Sequence, residues 1–270
     1  MLLIAVSPEP GEVELAADRL WGLGVVAVEE RCVGDDIELW TSLGADEMAA
    51  TQALSSFPFA WRFEGVDDGV GEEWRAFARP IHFAGGMVVR PAWLASPPDD
   101  NPLHLAIEPG GTFGLGDHPT TVMCVGAVRD LVRPGDRVLD VGTGSGILAV
   151  LAAKLGASAC LAIDLGPDSV TTTGDNSRRN GVEDRVTATS QPLRDVSGAF
   201  DLIVANILAP VLLEMADDFK RLLAPGGRLV LSGMLTSRCD HVVKKMAPLR
   251  VTCRRRLDGW IAIEMSRDRS

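Results

Sequence analysis

Tyrosine is missing altogether from the 270 residues, which excludes an Asn-Pro-Pro-Tyr type of amino-group site. Cysteine is sparse. Its five positions (Cys32, Cys124, Cys160, Cys239 and Cys253) are scattered, with no C-x-x-C pair. An odd, dispersed set argues against a disulfide framework and against structural zinc, so these thiols read as reduced and mostly buried. His118 has no partner at metal-ligand spacing, the other histidines being His82, His104 and His241, and no metal is expected. No apolar run reaches the roughly 18 residues of a membrane span. The opening MLLIAVSPEPGE is short and lacks the basic flank of a secretory signal. A cytoplasmic location without a membrane partner is the expectation.

Positive charge is also scarce where the chain begins. Residues 1–66 hold twelve acidic and three basic side chains, a balance of −9 within a total of −11. Such asymmetry suggests an acidic module that meets a basic partner, although acidity for solubility alone fits equally well. A bare nucleic-acid duplex is disfavoured as direct partner, because phosphate binding needs clustered Lys and Arg. The run Arg254-Arg255-Arg256 alternates faces on a strand and reads as a solvated edge. What remains is an ordinary globular composition, 46% hydrophobic and 23% charged, long enough for two domains.

The order of patterns divides the chain. LLIAVS, VVAVEE, DIELWTSL and FAWRFEGV read as strands. GEVELAADRLWGLG and ADEMAATQALSS read as helices, the first with Val13, Ala16, Ala17 and Leu20 at helical spacing. This β-α-β-β-α-β order predicts a small α+β ferredoxin-like domain over 1–66. Residues 67–101 read as a linker, with a helical stretch stopped at Pro80, a strand MVVRPAW and the loop SPPDDNP. From 102 to 270, strands alternate with helices, which predicts an α/β, doubly wound, Rossmann-like sheet. An antiparallel pair around Asp258-Gly259 closes it.

The chemistry sits in VLDVGTGSGILAVLAAKLG, Val138 to Gly156. An apolar strand runs through Asp140 into Gly142, Gly144 and Gly146, and a helix follows. Glycines are needed where backbone turns sharply and lies close to a ligand. A dinucleotide fingerprint is spaced G-x-G-x-x-G; here the third glycine comes one residue early. A carboxylate at Asp140 would repel a phosphate but suits the ammonium of an amino-acid moiety. The pattern therefore favours S-adenosylmethionine over a nicotinamide dinucleotide. Asp164, at the end of the next strand, can accept from both ribose hydroxyls of either cofactor. The later strand in FDLIVANILAP ends at Asn206, beside the same crevice. Asn206 is read as the catalytic residue, its side chain accepting hydrogens from a substrate nitrogen; the other reading is a cap for the helix at Pro210.

GTFGLGDHPTT, VLDVGTGSGILAVLAAKLGA, DNSRRNGV, FDLIVANILAPVL and LAPGGRLVLSGML, in this order, resemble the bacterial ribosomal protein L11 methyltransferase family over roughly residues 72–265. The resemblance implies a two-domain enzyme that uses S-adenosylmethionine. Its first domain would recognise a ribosomal protein, and its second would methylate lysine side chains and an α-amino group. By position it implies cofactor contacts at Thr121, Gly142, Asp164 and Asn206. The glycine-rich turn that opens Gly111–Gly126 then reads as a lid-like loop over the cofactor, with Thr121 supplying a hydroxyl and Phe113 an apolar cover, and HPTTVMCVGAVRDLV begins a helix. Two departures stand out: Leu115 replaces a hydroxyl residue of the usual F-G-T-G-x-H-x-T-T, and Leu165-Gly166-Pro167 replaces the usual I-D-P register. Methyl transfer to another protein or a small amine, a nicotinamide-dependent dehydrogenase and a non-catalytic binding module are the other readings.

Overall fold

The computed structural model describes residues 2–9, 11–23, 25, 28–34, 36–43, 47–65, 79–95, 103–109 and 116–268. The chain divides into two compact units, Met1–Ala78 and Arg79–Ser270.

In the first unit, strands β1 (Leu2–Ser7), β2 (Val28–Val33), β3 (Asp36–Thr41) and β4 (Ala60–Gly65) alternate with helices α1 (Val13–Gly22) and α2 (Glu47–Ala53). The strands lie in the order β2-β3-β1-β4, each neighbour antiparallel. This is the split β-α-β arrangement expected of the ferredoxin-like pattern. One face of the sheet packs through Ile4, Val6 and Leu39 onto Ala16 and Leu20 of α1 and Ala50 of α2. The helical spacing read from the sequence is what fills this core.

The second unit begins earlier than the expected linker end. Strands β5 (Ile81–His82), β6 (Val88–Pro91) and β7 (His104–Ile107) form a small sheet within it. Residues 79–95 therefore fold with this unit instead of serving as a spacer, because Met87, Val89, Leu105 and Ile107 join its core. The helical connector before Pro80 and the loop SPPDDNP fall largely outside the described residues.

The main sheet contains β8 (Arg137–Val141), β9 (Ala159–Ile163), β10 (Val186–Thr189), β11 (Phe200–Asn206), β12 (Leu223–Leu235), β13 (Arg250–Leu257) and β14 (Trp260–Ser266). Their order is β10-β9-β8-β11-β12-β14-β13, with only β14 antiparallel to its neighbours. Helices α3 (Pro119–Leu131), α4 (Ile147–Lys154), α5 (Pro167–Arg179), α6 (Ala209–Glu214), α7 (Ala216–Leu222) and α8 (Cys239–Lys245) connect them. Successive β11 side chains serve opposite cores: Leu202 and Val204 pack with α3 and α4, while Ile203 and Ala205 pack with α6, α7 and α8. That two-sided burial is why such strands read as continuous apolar runs. The closing hairpin turns at Asp258 and Gly259, whose φ angles are 48° and 80°, the left-handed pair its geometry requires. In the arginine run, Arg254 and Arg256 are exposed, whereas Arg255 turns inward to Glu264 and Asp130.

Candidate active site

The chain leaves β8 to build β9 and β10 on one side, then crosses to β11 on the other. A crevice opens at such a reversal, outside the carboxyl ends of the strands. Asp140, Gly142, Asp164 and Asn206 all lie at those ends, on β8, β9 and β11.

Asp140 is buried. Its Oδ2 accepts from Thr143 Oγ1 at 2.7 Å and from the Ala149 N–H at 3.2 Å. Its Oδ1, equally buried, has no hydrogen-bond partner among the described residues. Burial pushes this carboxyl up to about 7 against the pull of those two donors, and the Asp164 charge adds to the rise. Asp164 braces the turn: Oδ2 accepts from Gly144 N–H and Oδ1 from Gly166 N–H, both at 2.9 Å. The glycine segment is a tight turn in which Gly142 and Thr143 N–H groups both reach the Ile163 carbonyl. Gly146 ends it as the left-handed cap of α4.

Asn206 does not cap the next helix. Leu208 holds that position, with no side-chain hydrogen bond. Instead Asn206 Nδ2 donates to Thr121 Oγ1 at 3.3 Å, and its buried Oδ1 has no partner among the described residues. Thr121 is thus brought to β11 across 85 residues of sequence. It is buried in the first turn of α3, the helix expected to begin in HPTTVMCVGAVRDLV. His118 caps that helix: its Nδ1 meets Thr120 Oγ1 at 2.7 Å and accepts from Thr120 N–H at 3.3 Å. Its ring packs edge-on to Trp260 with centroids 5.1 Å apart. Burial lowers its pKa against the opposing Asp117 charge. Phe113 and Leu115 of the expected lid lie outside the described residues.

The sequence did not single out Ile207 and Gly233, or the contacts of Asn176. Asn176 Nδ2 donates to the carbonyls of Ser145, inside the glycine turn, and of Glu108, each at 2.8 Å. A Cβ at Gly142 would lie 2.3 Å from Ile207 Cγ2, and one at Gly233 would lie 2.4 Å from the Ile207 carbonyl oxygen. The DNSRRNG segment and the glycine late in β12 were visible as letters. Their partners are remote in sequence, so no local pattern revealed their use.

A doubly wound sheet with an acid-flanked glycine turn at its switch point defines the nucleotide-type cofactor site of a Rossmann-like methyltransferase. Residues 41–268 match the family of the ribosomal protein L11 methyltransferase (PrmA). A curated relative from Symbiobacterium thermophilum, named ribosomal protein L11 methyltransferase, is 41% identical over 82% of this chain and 72% of its own. One of the same name from Geobacter sulfurreducens is 40% identical over 82% and 69%. The crystal structure of a ribosomal protein L11 methylase from Lactobacillus delbrueckii subsp. bulgaricus superposes with TM-score 0.64 at 33% identity, covering 70% of this chain and 98% of that one. The chain belongs to the ribosomal protein L11 methyltransferase family. It is a protein methyltransferase dependent on S-adenosylmethionine, and the dehydrogenase and non-catalytic readings fall away.

Proposed function

We propose that this chain transfers methyl groups to lysine and α-amino nitrogens of ribosomal protein L11, with Asn206 as the residue that receives the amine. The observation that carries this reading is the Asn206 amide. Its Nδ2 is committed to Thr121, and its buried Oδ1 is left without a partner among the described residues. A buried acceptor without a donor costs about 1–3 kcal/mol, and an incoming amine N–H removes that cost.

The residues present fit the cofactor. Asp140 offers an unpaired carboxylate oxygen to an ammonium group. Each Asp164 oxygen already accepts one backbone N–H and retains capacity for a hydroxyl. Gly142, Gly144 and Gly146 bring main chain, not side chains, to the crevice. When bound, S-adenosylmethionine supplies a methyl group already activated on a cationic sulfur. The chain's task is then positioning, which alone supplies several orders of magnitude in rate. A lysine ammonium has a pKa of about 10.4 and no lone pair. Asn206 Oδ1 accepts one hydrogen of the neutral amine and fixes where its lone pair points, and solvent takes the departing proton.

The acidic first unit would hold the basic protein substrate, and no direct nucleic-acid contact is needed. The reaction would proceed in the cytoplasm; among the described residues, no helix is long and apolar enough to cross a membrane. Incubation with purified L11 and methyl-labelled cofactor, followed by mass spectrometry, should place label on lysine and N-terminal nitrogens. Label on other proteins or small amines alone would redirect the substrate assignment. Asn206→Ala should lower turnover about a hundredfold with cofactor affinity nearly unchanged; undiminished turnover would remove Asn206 from this role.

A further inference from the structure

We infer that Ile207 is the positioning residue of the active site, held between Gly142 and Gly233 so that Asn206 is aimed by the same turn that receives the cofactor. The inference rests on the reading of Asn206 as the amine acceptor.

Gly142 has φ 71°, and its missing side chain leaves the space that Ile207 Cγ2 fills; a Cβ there would sit 2.3 Å from that methyl. Gly233 has φ 86° and faces the other side of the same residue. A Cβ at 233 would lie 2.4, 2.7 and 2.8 Å from the Ile207 O, C and N atoms. Contacts below 3 Å cannot stand without movement, of the Ile207 side chain at 142 and of its main chain at 233, so each glycine is an opening cut to the shape of Ile207. One opening takes its side chain and the other its backbone. The Ile207 N–H also donates to the Ser232 carbonyl at 3.2 Å. Opposite β14, the register of β12 shifts between Leu231 and Met234. A bulge at this point re-aims the strand locally, and it brings Gly233 against Ile207.

Asn206 is the neighbour of Ile207 and the last residue of β11, paired with Ser232. Its side chain is tied to Thr121, its backbone register is set by β12, and the next residue is clamped. Moving Ile207 from the Gly233 side therefore moves Asn206, while Asp140 and Asp164 keep hydrogen bonds in which Ile207 takes no part. A misplacement of about 1 Å in such a group costs up to about a hundredfold in rate. The shared wall at Gly142 means that the turn receiving the cofactor sets where Ile207, and with it Asn206, can sit.

Allele-specific rescue tests this, with two readouts: methyl incorporation into L11 and calorimetric affinity for S-adenosylmethionine. Gly233→Ala should lower turnover by about tenfold or more, with cofactor affinity within about threefold. Gly142→Ala should lose turnover as well. Ile207→Ala, which deletes the clashing methyl, should restore at least about fivefold of the loss in Gly142→Ala, the positive φ at 142 keeping the rescue incomplete. It should restore nothing in Gly233→Ala, where the collision is with main chain. Equal rescue in both backgrounds, rescue in neither, or a parallel loss of cofactor affinity and turnover in Gly233→Ala would overturn the inference. Asn206→Ala, assayed alongside, separates the two claims. Full turnover in that variant removes the amine-acceptor reading, whereas loss there with normal turnover in Gly233→Ala removes only the positioning by Ile207.

Discussion

Asp140 carries the sharpest single-residue consequence. Its carboxyl, ordinarily near 3.8, is pushed up to about 7 by burial in the folded chain. Between those values the native state holds a proton that the unfolded state has released. This group's contribution is therefore greatest below about pH 4 and is lost as pH rises towards 7, at no more than about 1.4 kcal/mol per pH unit. Asn at 140 can present a carbonyl to Thr143 and the Ala149 N–H without ever ionising. Urea denaturation of the cofactor-free protein should show Asp140→Asn gaining on the parent chain as pH increases from 4 to 8. Parallel stability curves would contradict the assignment. The same substitution should weaken S-adenosylmethionine binding above pH 7 by about tenfold, because an ionised carboxylate strengthens a bond to an ammonium.

At the scale of elements, α5 and β7 show how a strand edge is finished. Asn180 Oδ1 accepts from Ala106 N–H at 3.0 Å and its Nδ2 donates to Ala106 O at 2.8 Å. Asn176 repeats the pattern with Glu108 at 3.0 and 2.8 Å. Four helical residues advance about 6 Å and two strand residues about 6.6 Å. One face of α5 therefore stands in for a missing strand beside β7, whose other edge pairs with β6. Asn176→Ala should cost about 2–4 kcal/mol, since its hydrogen bonds to the Glu108 N–H and to the Glu108 and Ser145 carbonyls are all lost. Denaturant titration with a loss under about 0.5 kcal/mol, the range of a neutral surface change, would refute the ladder as a stabilising feature. This explains uneven legibility. Helix α4 was readable because its apolar residues surround it, and Ile147 to Ala153 are all buried. Strand β7 was not, because four residues carry no periodicity and their partners come from a helix some 70 positions later. The stretch PVLLEMADDFKRLL is split into α6 and α7 at Met215, with φ −85° and ψ 2°, although it holds no glycine and no proline past its first residue.

For the whole molecule, the separation into Met1–Ala78 and Arg79–Ser270 meets the charge asymmetry of the chain. Most of the net negative charge lies in the first 66 residues. Acidity of this kind would mainly raise the rate of encounter with a basic partner, the reading proposed above. The chain shortened to residues 67–270 should bind S-adenosylmethionine as the full chain does, yet lose most methyl transfer to L11. Raising the salt concentration should reduce the advantage of the full chain, because exposed charges more than a Debye length of about 8 Å apart are screened at physiological ionic strength. Full activity of the shortened chain at low salt would contradict a recognition role for the first unit. The sequence alone determined the two architectures, the acid-flanked glycine turn and the position of Asn206 at a strand end. Those features depend on local periodicity, on backbone freedom at glycine and on short spacings. Tertiary structure alone decided that Thr121 orients the Asn206 amide, that Asn176 ties the glycine turn to β7, and that Gly142 and Gly233 enclose Ile207. Each of these joins residues distant in the chain, and the packing that excludes a Cβ exists only after the sheet has closed.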